Sequence, residues 1–74
     1  MKKYYFYIYE IIYDKHPGIL GNGVIEEDDG IFKMFNVIKS YAEKYGANES
    51  EIIVTSFQEI SEAQYKYFEE HKSK

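Results

Sequence analysis

The segment from Lys3 to Tyr13 constrains the fold of this chain more than any other part of the sequence. Its residues are almost all aromatic or β-branched, include no glycine or proline, and carry Glu10 as the one charge between Lys3 and Asp14. Such a composition is typical of a pleated, largely buried strand, which would be about 35 Å long. Because both of its faces are apolar or aromatic, we expect a central strand with the other elements arranged around it.

The two faces of this strand differ in chemistry. Its odd positions include four tyrosines, here called the tyrosine ladder: Tyr5, Tyr7, Tyr9 and Tyr13. Its even positions carry mainly phenylalanine and isoleucine, which belong in a dry core, whereas tyrosine can bury its ring and keep its hydroxyl wet. We therefore predict that the even face packs on the core and that the ladder is only partly covered. A bulge near Glu10 would instead turn Ile11 and Tyr13 inward.

A turn and a second strand follow. Pro17 and Gly18 end the first strand, because proline removes a backbone donor and glycine permits positive φ. Residues 19–26 predict a weaker, glycine-rich strand that is an edge or bulged one, and the short link makes the pair an antiparallel hairpin. The glycines match the spacing of neither a dinucleotide fingerprint nor a P-loop, so hairpin geometry explains them better than a phosphate site.

The clearest periodic pattern predicts the main helix. Its apolar residues recur at three- and four-residue steps: Ile31, Met34, Phe35, Ile38, Tyr41, Ala42 and Tyr45. Asp28 or Asp29 would cap the first turn of this helix, and Gly46 would close it in a left-handed conformation.

A capping box predicts a short last helix over residues 62–71. Ser61 and Gln64 have the spacing of such a box. We expect Tyr65 and Phe68 to be the residues of this helix that face inward.

Between the two helices, residues 51–60 have an apolar first half and later alternation, which predicts a third strand. A right-handed crossover through the main helix makes this strand parallel to the second one, so the first strand lies between them. We therefore predict a single α+β domain over residues 1–74. Its chain order is β-β-α-β-α, its three-stranded, mainly antiparallel sheet has the order 2-1-3, and the main helix covers one face.

The charge of the chain argues against nucleic acid as a direct ligand. The formal net charge is −4, and all nine basic residues are lysines. Bidentate recognition of phosphate, carboxylate or guanine relies on the guanidinium fork of arginine, and nucleic-acid binders carry a basic surface. No apolar run approaches about 18 residues, and the opening residues lack the pattern of a signal peptide, so we expect a cytoplasmic protein of a host cell without membrane contact.

No arrangement of residues points to catalysis. The sequence has no cysteine, and its two histidines, His16 and His71, lie far apart. No Ser-His-acid or Cys-His set has a recognisable context, and a histidine metal site would need the two ends of the chain to meet. We therefore expect a protein that is not an enzyme and that holds no cofactor or metal.

The tyrosine ladder has three interpretations. It is a half-buried sheet face closed by the last helix, a homodimer or partner interface, or a base-stacking platform. The absence of arginine disfavours the base-stacking platform. The other two interpretations stay open.

A run of acidic residues, here called the acidic cluster, precedes the main helix: Glu26, Glu27, Asp28 and Asp29. Helix capping and solvation explain it most simply, since it lacks the spacing of a calcium loop. The main alternative is a negative patch for a basic protein surface.

Three features carry a resemblance to a known group of proteins: the Lys/Tyr/Ile-rich opening, the Gly21-Asn22-Gly23 turn, and the strand-to-helix ending from Phe57 to Tyr65. In size, charge and element pattern the chain resembles small proteins of bacteriophages and other mobile elements in low-GC bacteria. Anti-CRISPR and other anti-defence proteins are the best known of these. The resemblance implies a compact acidic inhibitor that occupies a basic nucleic-acid channel or blocks an assembly surface.

We therefore expect a small acidic protein–protein interaction module that is dimeric and inhibits a host defence nuclease or complex by stoichiometric binding. Its partner would be another protein with a basic surface. The expected partner-binding residues are the tyrosine ladder and the acidic cluster: Tyr5, Tyr7, Tyr9, Tyr13, Glu26, Glu27, Asp28 and Asp29. The alternatives are a dimer that binds a small ligand or nucleotide, and a structural subunit of a phage particle.

Overall fold

The computed structural model describes residues 1–13 and 16–71, apart from the side chains of Tyr13, His16 and Pro17. The elements are β1 (Lys3–Tyr13), β2 (His16–Glu27), α1 (Met34–Tyr45), a 3-10 turn (Glu49–Glu51), β3 (Ile52–Ile60) and α2 (Glu62–His71). β1 lies between β2 and β3 and is antiparallel to both. The predicted α+β fold and the sheet order 2-1-3 are thereby confirmed. Neither helix in the described part of the chain has the length and apolar character that a membrane crossing requires.

The main core lies between α1 and the odd face of β1. Tyr7, Tyr9 and Ile11 are 7%, 6% and 0% exposed, and they pack with Val37 and Ala42 of α1. The prediction that the even face of β1 carries the core is therefore wrong. Tyrosine was the residue type expected at the wetter face, and here it forms the centre of the core.

The reason for this reversal lies in the partner strand. In the register between β1 and β2, Tyr7 is opposite Gly23 and Tyr9 is opposite Gly21. A Cβ built at Gly23 would lie 2.7 Å from Cζ of Tyr7, so the phenol ring occupies the space that a side chain would take. Large rings beside glycine keep the two strands packed and the backbone covered.

A bulge changes the facing of β3, and it lies on that strand rather than on β1 near Glu10. Ile8 is opposite Ser56 but Tyr9 is opposite Val54, so Thr55 is an extra residue. The Thr55 hydroxyl donates a hydrogen bond to the Ile8 carbonyl at 3.3 Å. Beyond the bulge the residues that face α1 change from even to odd positions, which is the effect expected of one inserted residue.

The main helix begins later than its apolar pattern predicts. α1 starts at Met34, and no side chain caps its first turn, so neither Asp28 nor Asp29 has the predicted capping role. Ile31 precedes the helix and Phe35 is 80% exposed, although both were assigned to the apolar stripe. The end of the helix is as predicted, because Gly46 has φ of 66° and closes α1 in a left-handed conformation.

α2 covers one end of the even face of β1. Tyr65 packs on Tyr4 with ring centroids 4.8 Å apart, and Phe68 stacks on Phe6 at 5.3 Å, as predicted for the inward residues. The predicted capping box at Ser61 is present. With ten residues α2 is about 15 Å long, whereas the eleven residues of β1 extend over about 35 Å. Much of the even face therefore has no helix over it.

We predict that Gly23→Ala lowers the free energy of unfolding by about 1–3 kcal/mol, because the new methyl group would overlap the buried ring of Tyr7. Urea denaturation followed by circular dichroism measures this loss. Gly18→Ala is the matched control, since there the nearest atoms belong to the end of the flexible Glu10 side chain. An equal loss in both variants would contradict the role of the ring.

Candidate functional site

The rings of Tyr7 and Tyr9 in the tyrosine ladder are enclosed within a single copy of the chain. Tyr7 and Tyr9 are buried beneath α1, and the Tyr5 hydroxyl donates to the Gly30 carbonyl at 2.7 Å. The side chain of Tyr13 lies outside the described residues. A docking role for this ladder depended on its being accessible, which the rings of Tyr7 and Tyr9 are not. The first of its three interpretations, a covered sheet face, fits the structure, although α1 rather than the last helix covers it.

The tyrosine hydroxyls pair with two hydroxyls of α1. Tyr7 and Tyr41 hydrogen-bond at 2.8 Å, and Tyr9 and Tyr45 do so at 3.5 Å. The rings of Tyr9 and Tyr41 stack with centroids 3.9 Å apart. Burial raises the pKa of Tyr7, Tyr9 and Tyr41, because the phenolate would lose its hydration. These hydroxyls are therefore neutral hydrogen-bonding groups at ordinary pH.

Two lysines, Lys2 and Lys33, form ion pairs with three of the four carboxylates of the acidic cluster. Glu26 forms an ion pair with Lys2 at 2.8 Å. The buried carboxylate of Glu27 accepts hydrogen bonds from the backbone N–H of Lys33 at 3.2 Å and from its Nζ at 3.1 Å. Glu27 therefore belongs to a turn in which its carboxylate binds both the backbone and the side chain of Lys33.

The second half of the cluster shows the same organisation. Asp29 accepts from the Lys33 Nζ at 2.7 Å and from the Ile31 backbone N–H at 3.1 Å. The hydrogen bond from Lys33 lowers the pKa of Asp29. Asp28 is exposed. Among the described residues, no group of three acidic or histidine side chains has the arrangement of a metal site.

A different surface stands out on the uncovered part of the second sheet face. Leu20 and Ile53 lie on either side of Glu10 in the paired strands, and Ile12 follows on the same face of β1. Leu20, Ile53 and Ile12 are 71%, 44% and 43% exposed. Within the part of the chain that the structure describes, no lysine forms an ion pair with Glu10. We call these four residues the open sheet face.

A second feature lies at the outer edge of β2, between α1 and α2. This edge cleft has a volume of about 590 Å³, which is in the range of small-molecule sites. Half of its ten lining residues are tyrosine or phenylalanine, and Lys44 and His71 add basic groups to it. Asn22 and Gly23 of β2 also line it. The cleft is thus the place where the buried tyrosines reach the surface.

The open sheet face contains none of the predicted site residues, whereas the lining of the edge cleft includes Tyr7 and Tyr9 of the tyrosine ladder. Glu10 interrupts an apolar face in the sequence, and this was a signal of the open sheet face. The signal could not be interpreted without knowing that Leu20 and Ile53 lie beside Glu10 on the neighbouring strands. The edge cleft joins residues from four elements, and the sequence separates them widely. Comparison of the chain with protein-family models, curated proteins and solved structures found no match.

Alkaline titration should reveal the buried phenols. The pKa of Tyr7, Tyr9 and Tyr41 is raised in the folded chain, so their contribution to stability is complete below about pH 10 and is lost as pH rises toward their folded values. Ultraviolet absorbance of the phenolate should show a late ionisation step that coincides with loss of the circular dichroism signal. Tyr41→Phe should reduce the amplitude of the late step. A single ionisation step near pH 10 with the fold intact would contradict this assignment.

Proposed function

We propose that this chain is a small acidic protein-binding module without catalytic activity, and that it docks through the open sheet face. The observation that carries the proposal is the group of three exposed aliphatic side chains around Glu10. Complete burial of such a side chain stabilises a complex by about 1.5–3 kcal/mol relative to full exposure. Contiguous exposed apolar residues on a folded sheet are typical of interaction surfaces.

The partner is inferred from the carboxylate at the centre of this face. Burying Glu10 beneath a partner without a counter-charge would cost several kcal/mol, so the partner must supply a lysine or arginine there. The net charge of −4 would also speed the approach of a basic protein. The surface therefore suits a partner that combines an apolar contact with a basic side chain.

A second copy of the chain suits the same face less well. A two-fold contact centred on Glu10 would bring two carboxylates together, and like charges in an interface cost several kcal/mol. The predicted homodimer relied on exposed rings in the tyrosine ladder, and Tyr7 and Tyr9 are buried. Self-association stays a prediction, which sedimentation velocity tests directly.

The resemblance to anti-defence proteins suggests a class of basic partner. A nucleic-acid channel carries the lysines and arginines that Glu10 requires, and such channels occur in host defence nucleases. Within this proposal, binding would be stoichiometric and would exclude nucleic acid from the channel. An inhibitor of this kind requires no catalytic residues of its own.

Leu20→Asp should weaken capture of such a partner by about tenfold or more, since it places a second carboxylate in the centre of the apolar contact. The measurement uses the immobilised chain, lysate of a host bacterium, and quantitative mass spectrometry of what is retained. Leu20 is already 71% exposed, so the melting temperature should change little. Glu10→Gln should weaken capture and reduce its salt dependence.

Phe35→Asp is the matched control, because Phe35 is 80% exposed on α1 and lies outside the open sheet face. It should retain the partner at the wild-type level. A captured protein should also lose nucleic-acid binding when the chain is added at equal molar amount. Equal retention by the wild type and Leu20→Asp would overturn the proposal for this face.

A further inference from the structure

The edge cleft lies between two helices that cover opposite faces of the sheet. α1 packs on the odd face of β1 and α2 on the even face, yet residues of both helices line the same cleft beside β2. β2 is an edge strand, so the cleft opens at the margin of the sheet. Tyr41 contributes a ring from α1, and Tyr67 and Phe68 contribute rings from α2. Aromatic rings on both sides suit a flat aromatic ligand.

The edge cleft offers hydrogen-bond donors from tyrosine hydroxyls and from a lysine ammonium group. Tyr7 and Tyr41 carry two hydroxyl hydrogens, and their mutual hydrogen bond uses one of them. The other hydrogen can therefore be donated to a ligand. The ammonium group of Lys44 has three hydrogens and no acceptor, and its Nζ lies 6.0 Å from the Tyr41 ring centroid. Such a site matches a ligand that bears acceptor oxygens.

The orientation of His71 follows from its hydrogen bond. Its Nδ1 is 2.7 Å from the backbone carbonyl of Tyr67, and a carbonyl only accepts, so Nδ1 carries a hydrogen. Its ring also stacks on that of Tyr67 with centroids 4.2 Å apart. The imidazole is thereby held as part of the α2 wall, and its Nε2 is left for solvent or a ligand.

The charges indicate which way a ligand would lie. Lys44 belongs to α1 and is the lysine of the cleft lining. An anionic group would therefore be directed toward Lys44.

We propose that the edge cleft binds a planar aromatic anion, with its ring against Tyr67 and Tyr41 and its anionic group near Lys44. Two classes of ligand fit this description: a purine nucleotide and an aromatic carboxylate. The inference is independent of the docking proposal, because the edge cleft and the open sheet face share no residue. Loss of either function by substitution therefore leaves the other one testable.

The experiment titrates the isotopically labelled chain with two matched pairs of probes and follows amide chemical shifts. The pairs are adenosine monophosphate with adenosine, and benzoate with benzamide, each up to about 5 mM. The anion of at least one pair should shift the amides of Asn22 and Gly23, and its uncharged analogue should bind about two- to fivefold more weakly. The pair that responds distinguishes a nucleotide from a simple carboxylate.

Two variants with matched controls locate the site. Lys44→Met should weaken binding of the anion by about two- to fivefold and leave binding of the uncharged analogue unchanged. Lys39→Met should alter the affinity for neither probe. Tyr67→Leu should weaken binding of both members of the pair by about three- to tenfold. Phe35→Leu should leave the affinity for both unchanged. Both Tyr67 and Phe35 are exposed, so the amide spectrum should confirm an unchanged fold. Absence of shifts with all four probes, or unchanged affinity in both Lys44→Met and Tyr67→Leu, would overturn the proposal.

Discussion

The packing of two tyrosine rings across two glycines is the contact on which the rest of the structure depends. Because Gly21 and Gly23 have no side chains, the rings of Tyr9 and Tyr7 extend over the β2 backbone toward its outer edge. Their hydroxyls there meet those of α1, and the position of that helix follows from ring stacking and hydroxyl pairing. A small core is built in this way from aromatic rings, in a chain that has no cysteine for a disulfide.

This arrangement divides the sheet into two unequal faces. One face is closed by α1 and contains the buried residues of the core. The other carries a helix at one end and exposed aliphatic side chains around Glu10 at the other. Lysines pair with Glu26, Glu27 and Asp29 of the acidic cluster, whereas no lysine of the described residues pairs with Glu10. Both proposed sites follow from what the helices leave uncovered.

The elements of the fold could be predicted from local signals, whereas the sites could not. The strand composition of residues 3–13, the capping box at Ser61 and the glycine at the end of α1 each act over a few residues. The face of β1 that forms the core depends instead on the glycines opposite Tyr7 and Tyr9, which belong to another strand. The late start of α1 likewise results from carboxylates that bind Lys33 rather than the helix. Contacts across strands decided the questions that the sequence pattern left open.

α2 packs on the sheet without burying any of its residues fully, and this affects how much of the second sheet face can be exposed. None of its residues, all of which the structure describes, is fully buried, and its ring contacts with β1 include those of Tyr65 with Tyr4 and of Phe68 with Phe6. Release of this helix would cost less free energy than unfolding of the sheet, which α1 holds from the opposite side. Displacement of α2 would therefore enlarge the contact area. It would join Tyr4 and Phe6 to the open sheet face on the same side of β1.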